Sequence, residues 1–305
     1  MSNDVYKGQV LGNVLLKEIL GQGAMSCVYR GHQSSLKRDV AVKILPKHPG
    51  TAQVSGTLFR QEGEVVAGLC HPNIIPIFEM GETDTCFYQV MQLVDGESLE
   101  TCILHLIGGR KVPCGCASLA VRLDLFCQVL DALEYAHSEG VVHQDVKPSN
   151  ILVSFKGRRP LVADFGIAST LLSEVPPDMI YGSPVYIAPE RLRGEPADRR
   201  CDVYSAAMVL YKLVAGLIPL ATRDRNVLLR AKVHDPAALF YCRPRRASPY
   251  IDARLEAILL RALESDPLRR YQSCGEFQEE LAAYARARHQ GERSSSSSRV
   301  LDRVA

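Results

Sequence analysis

The sequence predicts an α+β protein in which strands fill the first third of the chain and helices fill most of the remainder. Residues 15–30 read as a strand, a glycine turn and a second strand, and residues 39–45 alternate apolar side chains around one lysine. One helical pattern, over 58–69, interrupts this strand-rich part. From Gly96 onward apolar residues recur at helical spacing, for example over 119–137, which favours a mainly helical second part.

Length and composition describe an ordinary globular chain. Its 305 residues can bury a large core, and hydrophobic residues make up 47% of it. The formal net charge of +2 gives no argument for a nucleic-acid or membrane-surface partner. Ten cysteines without an even framework, and no signal peptide at the start, favour a reducing, cytoplasmic location. The sequence contains no run of about 18 apolar residues, so no membrane span is predicted.

The most informative segment covers residues 141–153, where an apolar lead-in and an apolar exit flank a polar loop. Asp145 is suited to accept a proton, Lys147 to offset developing negative charge and Asn150 to offer an oxygen to a metal ion. Asp164 adds a second carboxylate, which is suited to bind a metal ion. These residue types suit phosphoryl transfer, because positioning and electrostatics supply most of its catalysis. A turn merely capped by Asp145 and Asn150 is the simpler interpretation, and the ordered pair of motifs disfavours it.

The segment His143–Asn150 resembles the catalytic loop of protein kinases, and Asp164-Phe165-Gly166 resembles their metal-binding motif. The resemblance extends over about residues 12–286. Details such as Gly-Ala-Met-Ser over residues 23–26 are most similar to the bacterial serine/threonine kinases of the eukaryotic-like type. The chain is therefore expected to bind ATP and to phosphorylate proteins, with autophosphorylation.

The resemblance implies a bilobal protein-kinase fold. A small lobe of antiparallel sheet with one helix is expected over 12–92, a hinge over 92–95 and a larger, mainly α-helical lobe over 96–286. Residues 71–77 and 86–91 are interpreted as the fourth and fifth strands of the small lobe. Outside this single domain, residues 1–11 form an N-terminal segment. Residues 287–305, with their run of serines, form a tail that is predicted to be disordered.

The resemblance also assigns a nucleotide site. The glycine turn would cover the phosphates, although Ser26 stands where a third glycine is usual. Lys43 would hold the α and β phosphates, and Glu62, preferred over Glu64, would be its partner on the next helix. Met91 would lie beside the adenine. The full set assigned to ATP is Gly21, Gln22, Gly23, Ala24, Met25, Ser26, Val28, Ala41, Lys43, Glu62, Met91, Gln92, Val94 and Leu152.

The catalytic roles implied by the resemblance fall on a few residues. Asp145 would position the acceptor hydroxyl and take its proton, with Lys147 and Lys43 as the other catalytic groups. Asn150 and Asp164 would bind Mg²⁺, or Mn²⁺ in its place. Lys147 two residues after the aspartate is typical of serine/threonine kinases, so the acceptor is expected to be serine or threonine.

Gln144 is the main departure from the family pattern, since most members carry arginine before the catalytic aspartate. That arginine pairs with a phosphorylated activation loop, whereas glutamine has no charge to offer. The chain is therefore predicted to depend only weakly on activation-loop phosphorylation. Candidate phosphosites in that loop are Ser169, Thr170 and Ser173.

Several residues are assigned structural roles instead. His143 is expected to pack against Phe165, and Val66 to face the core beside the same ring. A helix opens at Cys201-Asp202, where Asp202 is read as an N-cap and as an anchor for the catalytic-loop backbone. Arg270 is expected to pair with Glu190 inside the large lobe.

Alternatives from other classes remain at this point. A pseudokinase that acts as an ATP-binding scaffold draws support only from Gln144, Ser26 and Ala207. A small-molecule kinase is disfavoured by the peptide-binding pattern over 182–190. Besides protein substrates, a homodimer is a partner that the family allows. Cys114 and Cys116 lack a second thiol pair and are interpreted as free thiols rather than a zinc site.

Overall fold

The computed structural model describes a two-lobed α+β protein, with a sheet-rich lobe followed by a mainly helical one. This arrangement confirms the predicted fold class. The residues that the structure describes are 5–23, 26–47, 52–112, 115–165, 185–218, 220–222, 224–234, 239–240 and 242–301.

The small lobe is built on an antiparallel sheet with the strand order β1-β2-β3-β4-β6-β5. Along these strands the inward-facing residues are buried in one apolar cluster that includes Val14, Val42 and Val90. The strands are β1 (Val10–Leu11), β2 (Val14–Gln22), β3 (Cys27–Gln33), β4 (Arg38–Pro46), β5 (Ile77–Glu82) and β6 (Cys86–Gln92).

Helix α1 (Ala52–Ala67) packs against β4, β5 and β6, and its glycines explain how closely it approaches them. A Cβ atom on Gly56 would overlap the ring of Phe87, and one on Gly63 would overlap the sulfur of Met80. These two glycines therefore provide space for the contact between helix and sheet.

Two predicted boundaries in this lobe are wrong. The helix begins at Ala52, six residues before the predicted range, and near this end Gly56 packs against the ring of Phe87. Residues 71–77 are not a strand of this sheet, which they join only at Ile77. The amide of Ile75 donates to Val162 O at 3.0 Å, and Val162 N donates to Asn73 O at 2.8 Å, so these groups pair with the large lobe.

In the large lobe, helices surround a core that is buried on all sides. In α5 the eleven consecutive residues 201–211 are buried, as are Leu213 and Val214, and the helix packs against α3, α8 and α9. The helices are α2 (Leu99–Ile107), α3 (Leu119–Ser138), α4 (Pro189–Leu192), α5 (Arg199–Ala215), α6 (Arg225–His234), α7 (Pro244–Ala247), α8 (Ala253–Ala262) and α9 (Cys274–Leu301).

A small antiparallel sheet joins the hinge side of this lobe to the catalytic loop. It consists of β7 (Gly96–Ser98), β8 (Ile151–Ser154) and β9 (Pro160–Val162), in the order β7-β8-β9. A short 3₁₀ turn over Pro148–Asn150 leads directly into β8. The polar loop that precedes this turn is therefore followed directly by a partly buried strand.

The ends of α5 and α9 differ from the sequence-based expectation. α5 begins at Arg199, and Asp198 is its N-cap, accepting from Arg200 N at 2.7 Å. The N-cap role expected for Asp202 is therefore wrong. The backbone of α9 is helical through Leu301, and the predicted disorder of 287–305 stays a prediction. Among the described residues, no helix is both long and apolar enough to cross a membrane.

Candidate active site

The catalytic loop is anchored from below by the carboxylate of Asp202, in the first turn of α5. Asp202 Oδ2 accepts from the His143 amide, and Oδ1 accepts from the Gln144 amide, each at 2.8 Å. The side chain of Asp202 is fully buried, and His137 Nε2 also donates to Oδ2 at 2.8 Å. Burial alone would raise the pKa of this carboxyl, but the hydrogen bonds and nearby histidines lower it from its usual value.

Gln144 adopts a left-handed backbone conformation, with φ of +65°. Such a conformation costs a non-glycine residue on the order of 1–3 kcal/mol and persists only when surrounding contacts hold it. The bond from its amide to Asp202 is one such contact. The expectation that Asp202 anchors this backbone is confirmed, and the anchor directs the following residue, Asp145, toward the cleft.

Asp145 lies at the centre of a set of polar contacts. Lys147 Nζ donates to Asp145 Oδ2 at 2.5 Å, and Asn150 Nδ2 donates to the same oxygen at 3.0 Å. Among the described residues no hydrogen bond reaches Asp145 Oδ1, and the side chain is 40% exposed. The carboxylate is thus fixed through one oxygen and can accept a hydrogen bond through the other.

His143 supports this aspartate without facing the cleft. Its ring stacks on Phe165 with centroids 4.4 Å apart, as predicted, and it is fully buried. Burial lowers the pKa of His143, so the ring is neutral at physiological pH. Nε2 then donates to Ala163 O at 3.1 Å, and Nδ1 accepts from the Asp145 amide at 3.2 Å. His143 therefore acts as a structural link between the catalytic loop and the segment that carries Asp164.

Lys43 of β4 meets Asp164 across the lobes. Lys43 Nζ lies 3.1 Å from Asp164 Oδ1, and the positive charge of Lys43 holds the pKa of this carboxyl below its usual value. Asp164 also adopts a left-handed conformation, with φ of +53°. The side chain of Glu62 lies outside the described residues, so its pairing with Lys43 stays a prediction. Val66, one turn further along α1, is buried in the same cluster as Phe165.

An apolar cluster lies between the lobes, next to the hinge. In the small lobe its members come from β3, β4, β6, the segment before β5 and the segment after β6; in the large lobe they come from β8, β9 and the residue after β9. A flat aromatic base requires two such apolar faces. The buried members are Ala41, Ile75, Met91 and Leu161, with Val28, Leu93, Val94, Leu152 and Ala163 packed against them.

Five residues that the sequence analysis assigned to ATP thus come together in this cluster: Val28, Ala41, Met91, Val94 and Leu152. Gln92 ends β6 and precedes the hinge. The sequence analysis missed the cluster members below the hinge, Leu161 and Ala163. The apolar run over 160–163, immediately before Asp164, is the signal that points to them.

The glycine turn lies at the end of β2. Gly21 and Gln22 belong to β2, and Gly23 N donates to Ser26 O at 2.7 Å. Ala24 and Met25 lie outside the described residues. Among the described residues, no heavy atom lies within 4 Å of the position that a Cβ on Gly21 would occupy.

The residues expected to bind magnesium fit that ion chemically. Asn150 Nδ2 is used by Asp145, which leaves the amide oxygen of Asn150 for a cation, and Asp164 supplies a carboxylate. Within the described residues no cluster of three or more His, Cys, Asp or Glu side chains forms a closed metal site. Mg²⁺ typically binds through one or two carboxylates together with substrate phosphates, so an open pair of oxygen donors suits it.

The predicted ion pair of the large lobe is present. Arg270 Nη1 and Nη2 donate to Glu190 Oε1 and Oε2 at 2.6 and 2.7 Å, in a bidentate arrangement. The Arg270 side chain is fully buried and that of Glu190 is 6% exposed. This pair ties α4, which follows the activation segment, to the turn before α9.

Two contacts of the activation-segment end were not predicted. Arg191 Nη2 donates to Gln144 Oε1 at 3.2 Å, which brings a cation beside the uncharged glutamine. Lys232 of α6 is buried and donates to Val185 O and Ile187 O at 2.5 and 2.6 Å. Burial lowers the pKa of Lys232 well below its usual value. Neither residue lies in a motif, so the sequence carried no signal for them. The candidate phosphosites Ser169, Thr170 and Ser173 lie outside the described residues.

A strand-rich lobe and a helical lobe that place a lysine, two aspartates and an asparagine around one cleft define the class of two-lobed kinases. The chain belongs to the protein kinase family: the family model for the protein kinase domain matches residues 15–281.

Individual relatives agree with this assignment. The chain is 31% identical to serine/threonine-protein kinase PrkC of Bacillus subtilis over 90% of its length, and 34% identical to PknB of Mycolicibacterium smegmatis over 87%. It spans only 40% and 42% of those two proteins. The crystal structure of the Mycobacterium tuberculosis PknI kinase domain is similar with a TM-score of 0.70 at 29% identity, covering 91% of this chain and 98% of that one.

Proposed function

We propose that this chain is an active serine/threonine protein kinase that transfers the γ-phosphate of ATP to hydroxyl groups of proteins, itself included. The observation that carries the proposal is the geometry of Asp145, whose Oδ2 is held by Lys147 and Asn150 while no hydrogen bond from the described residues reaches Oδ1. Relatives of this family are named serine/threonine-protein kinases, which supports the same class of acceptor.

The chain's own residues divide the work of the reaction among them. Asp145 Oδ1 accepts a hydrogen bond from the acceptor hydroxyl and takes its proton as the oxygen attacks. Lys147, 2.5 Å from the same carboxylate, offsets negative charge on the phosphoryl group as it moves. The apolar cluster next to the hinge orients the adenine, and Lys43 orients the α and β phosphates.

Asn150 and Asp164 would hold Mg²⁺ against the phosphates of the bound nucleotide. The ion, when bound, supplies positive charge that neutralises the phosphate oxygens. In the described structure Lys43 pairs with Asp164 at 3.1 Å, and we infer that this contact gives way to phosphate and metal contacts when the nucleotide binds.

Gln144 supports a further part of the proposal, which concerns regulation. The loop is held by Asp202 and not by a charge at position 144, so the catalytic geometry does not require a phosphorylated partner. We therefore propose a kinase that is only weakly dependent on activation-loop phosphorylation and that acts in the cytoplasm.

The experiment is a transfer assay with γ-labelled ATP and Mg²⁺, with the chain itself and a generic basic protein as acceptors. The expected result is label on serine or threonine that is lost when a chelator removes the metal. Label on tyrosine would contradict the acceptor class. Absence of label together with retained ATP binding would contradict catalysis and favour the pseudokinase alternative.

A further inference from the structure

Three consecutive carbonyl oxygens at the end of the activation segment each accept a hydrogen bond from a buried side chain. Lys232 Nζ donates to Val185 O and Ile187 O at 2.5 and 2.6 Å. Ser205 Oγ donates to the oxygen between them, Tyr186 O, at 2.7 Å. The two donors belong to different helices, α6 and α5, so the main chain of these three residues is tied to both helices.

Both donors are interior groups. Lys232 is fully buried, and a buried lysine is costly unless its amino group is hydrogen-bonded. Within the described part of the chain, the hydrogen bonds that Nζ donates go to this segment. Burial lowers the pKa of Lys232, but an uncharged amine still has two hydrogens for two carbonyl oxygens. Ser205 is 4% exposed, and its hydroxyl lies closer to Tyr186 O than to Cys201 O, which is 3.0 Å away.

The side chains of residues 185–187 are only partly buried, although their carbonyl oxygens are bound from the interior. These residues belong to the stretch 182–190, whose sequence resembles the peptide-binding segment of protein kinases. A segment whose main chain is fixed before an acceptor arrives needs less ordering when the acceptor binds. The fixed carbonyl groups thus give the segment a preformed surface of half-exposed side chains.

The same segment is also held where it enters α4. Lys232 Nζ lies 4.8 Å from the centre of the Tyr204 ring, and the guanidinium of Arg270 lies 5.0 Å from the same ring. Arg270 in turn binds Glu190 of α4 through two hydrogen bonds. One set of neighbouring buried side chains therefore holds the segment from Val185 to Glu190.

We propose that Lys232 is a positioning residue for the protein acceptor. Together with Ser205 it fixes the main chain of residues 185–187, and the half-exposed side chains of these residues then receive the polypeptide that carries the acceptor hydroxyl. Lys232 acts through this segment and is not among the residues assigned to ATP or to proton transfer. The inference rests on the proposed kinase function and adds to it the group that prepares the acceptor site.

Initial rates of transfer from ATP to myelin basic protein, with the acceptor concentration varied, test the inference. Lys232→Met keeps the length of the side chain and removes both hydrogen bonds. It is expected to raise KM for the acceptor by about tenfold or more. The segment is then competent to bind only part of the time, and saturating acceptor restores the competent arrangement. We therefore expect kcat to stay within about twofold of the parent and KM for ATP to stay unchanged.

Two further variants make the result specific. Arg230→Met is the matched control, since it makes the same kind of change at an exposed position of α6, and it is expected to keep the parental KM. Ser205→Ala removes the second donor with little change in volume and is expected to raise KM for the acceptor by about threefold or more. It also tests the inference should Lys232→Met fail to fold.

A purely structural role of Lys232 predicts a different pattern, because fewer folded molecules lower kcat and leave KM for the acceptor unchanged. That pattern, or a parental KM in both Lys232→Met and Ser205→Ala, overturns the inference. A parent chain that transfers no phosphate contradicts the proposed kinase function. An active parent whose two variants keep the parental KM contradicts this inference alone.

Hydrogen exchange over residues 185–190 tests the positioning step without phosphoryl transfer. Amides of this segment are expected to exchange faster in Lys232→Met and in Ser205→Ala than in the parent, and Arg230→Met is expected to match the parent. Exchange that is the same in all four proteins overturns the claim that Lys232 and Ser205 fix the segment.

Discussion

At the scale of single residues, the left-handed backbone at Gln144 is held by the hydrogen bond from its amide to Asp202. Gln144 Oε1 accepts a hydrogen bond from Arg191. The Gln144 side chain is uncharged, so it offers no positive charge to pair with a phosphate. Among the described residues, the carboxylate that holds the amides of His143 and Gln144 is the buried one of Asp202.

Protein treated to remove all phosphate is expected to keep most of its transfer activity, because Asp202 holds the loop without a phosphate. The measurement is the initial rate of transfer to an added protein acceptor before and after phosphatase treatment. Loss of nearly all activity, restored by autophosphorylation, would refute the expectation. Arg191→Ala would then show whether the guanidinium beside Gln144 receives the phosphate.

Asp202 also predicts a dependence of stability on pH. Its pKa in the folded protein lies below the usual 3.8, so its carboxylate stabilises the fold fully above about pH 3.8. That contribution is lost as the pH falls through the lowered value. Asp202→Asn should thus be less stable than the parent at neutral pH, with a gap that narrows only below about pH 3.8.

Denaturant unfolding at a series of pH values measures this gap. A gap that already closes between neutral pH and about pH 5 would contradict the assignment, because the carboxylate of the parent is still ionised there. Arg269→Ala provides the control, since Arg269 is an exposed residue with no part in this network.

Motif residues were placed well by sequence alone, and residues outside motifs were not. Asp145, Asn150 and Asp164 are marked by neighbours of fixed type and spacing, so their proximity could be predicted. Lys232 could not be found in this way. A lysine in an exposed helix and a lysine buried under backbone carbonyls look alike in sequence, because the difference arises from how α6 packs.

At the scale of elements, the pair of Arg270 and Glu190 connects α4 with the turn before α9. Arg270 also donates to the carbonyl oxygens of Glu264, Ser265 and Arg200, so its guanidinium is fully used. Removing one partner of a buried pair leaves an uncompensated charge, which is typically destabilising by about 3–5 kcal/mol.

Arg270→Met is therefore expected to lower the free energy of unfolding by about 3–5 kcal/mol. The double variant Glu190→Leu with Arg270→Met should lose less than the single one, because no charge is left unpaired. Denaturant unfolding of both variants measures the difference. A single variant within about 1 kcal/mol of the parent would contradict a structural role for the pair.

Element boundaries show where sequence reasoning stops. The predicted strand over 71–77 has the right apolar residues, but its backbone pairs with β9 in the other lobe. The early part of α1, which the sequence pattern did not include, meets the sheet where Gly56 packs against Phe87 on a distant strand. Both outcomes depend on long-range pairing, and local patterns do not encode it.

At the scale of the whole molecule, the nucleotide site is shared between two lobes. Lys43 comes from the sheet of one lobe, while Asp145 and Asp164 come from the other, and the apolar cluster next to the hinge has members in both. A ligand that contacts both sides is expected to stabilise the two lobes together. Stability should therefore rise with nucleotide in a metal-dependent way.

A non-hydrolysable ATP analogue with Mg²⁺ is expected to raise the free energy of unfolding by about 2.7 kcal/mol at roughly one hundred times its Kd. Removing the metal with a chelator should reverse most of that gain, and Asp164→Asn should abolish the dependence on metal. Thermal unfolding with and without the analogue, and with and without Mg²⁺, measures this stabilisation. Equal stabilisation with and without Mg²⁺ would contradict the metal-binding role of Asp164 and Asn150.

The most direct test of catalysis is a comparison of the parent with Asp145→Asn. We expect kcat for phosphoryl transfer to fall by about 10²–10⁴ in the variant, because the base is lost, while the Kd for the ATP analogue stays unchanged. Asparagine keeps the size of the side chain, so the loop should stay folded. A variant that retains the parental kcat would contradict the role of Asp145 and with it the account of this site.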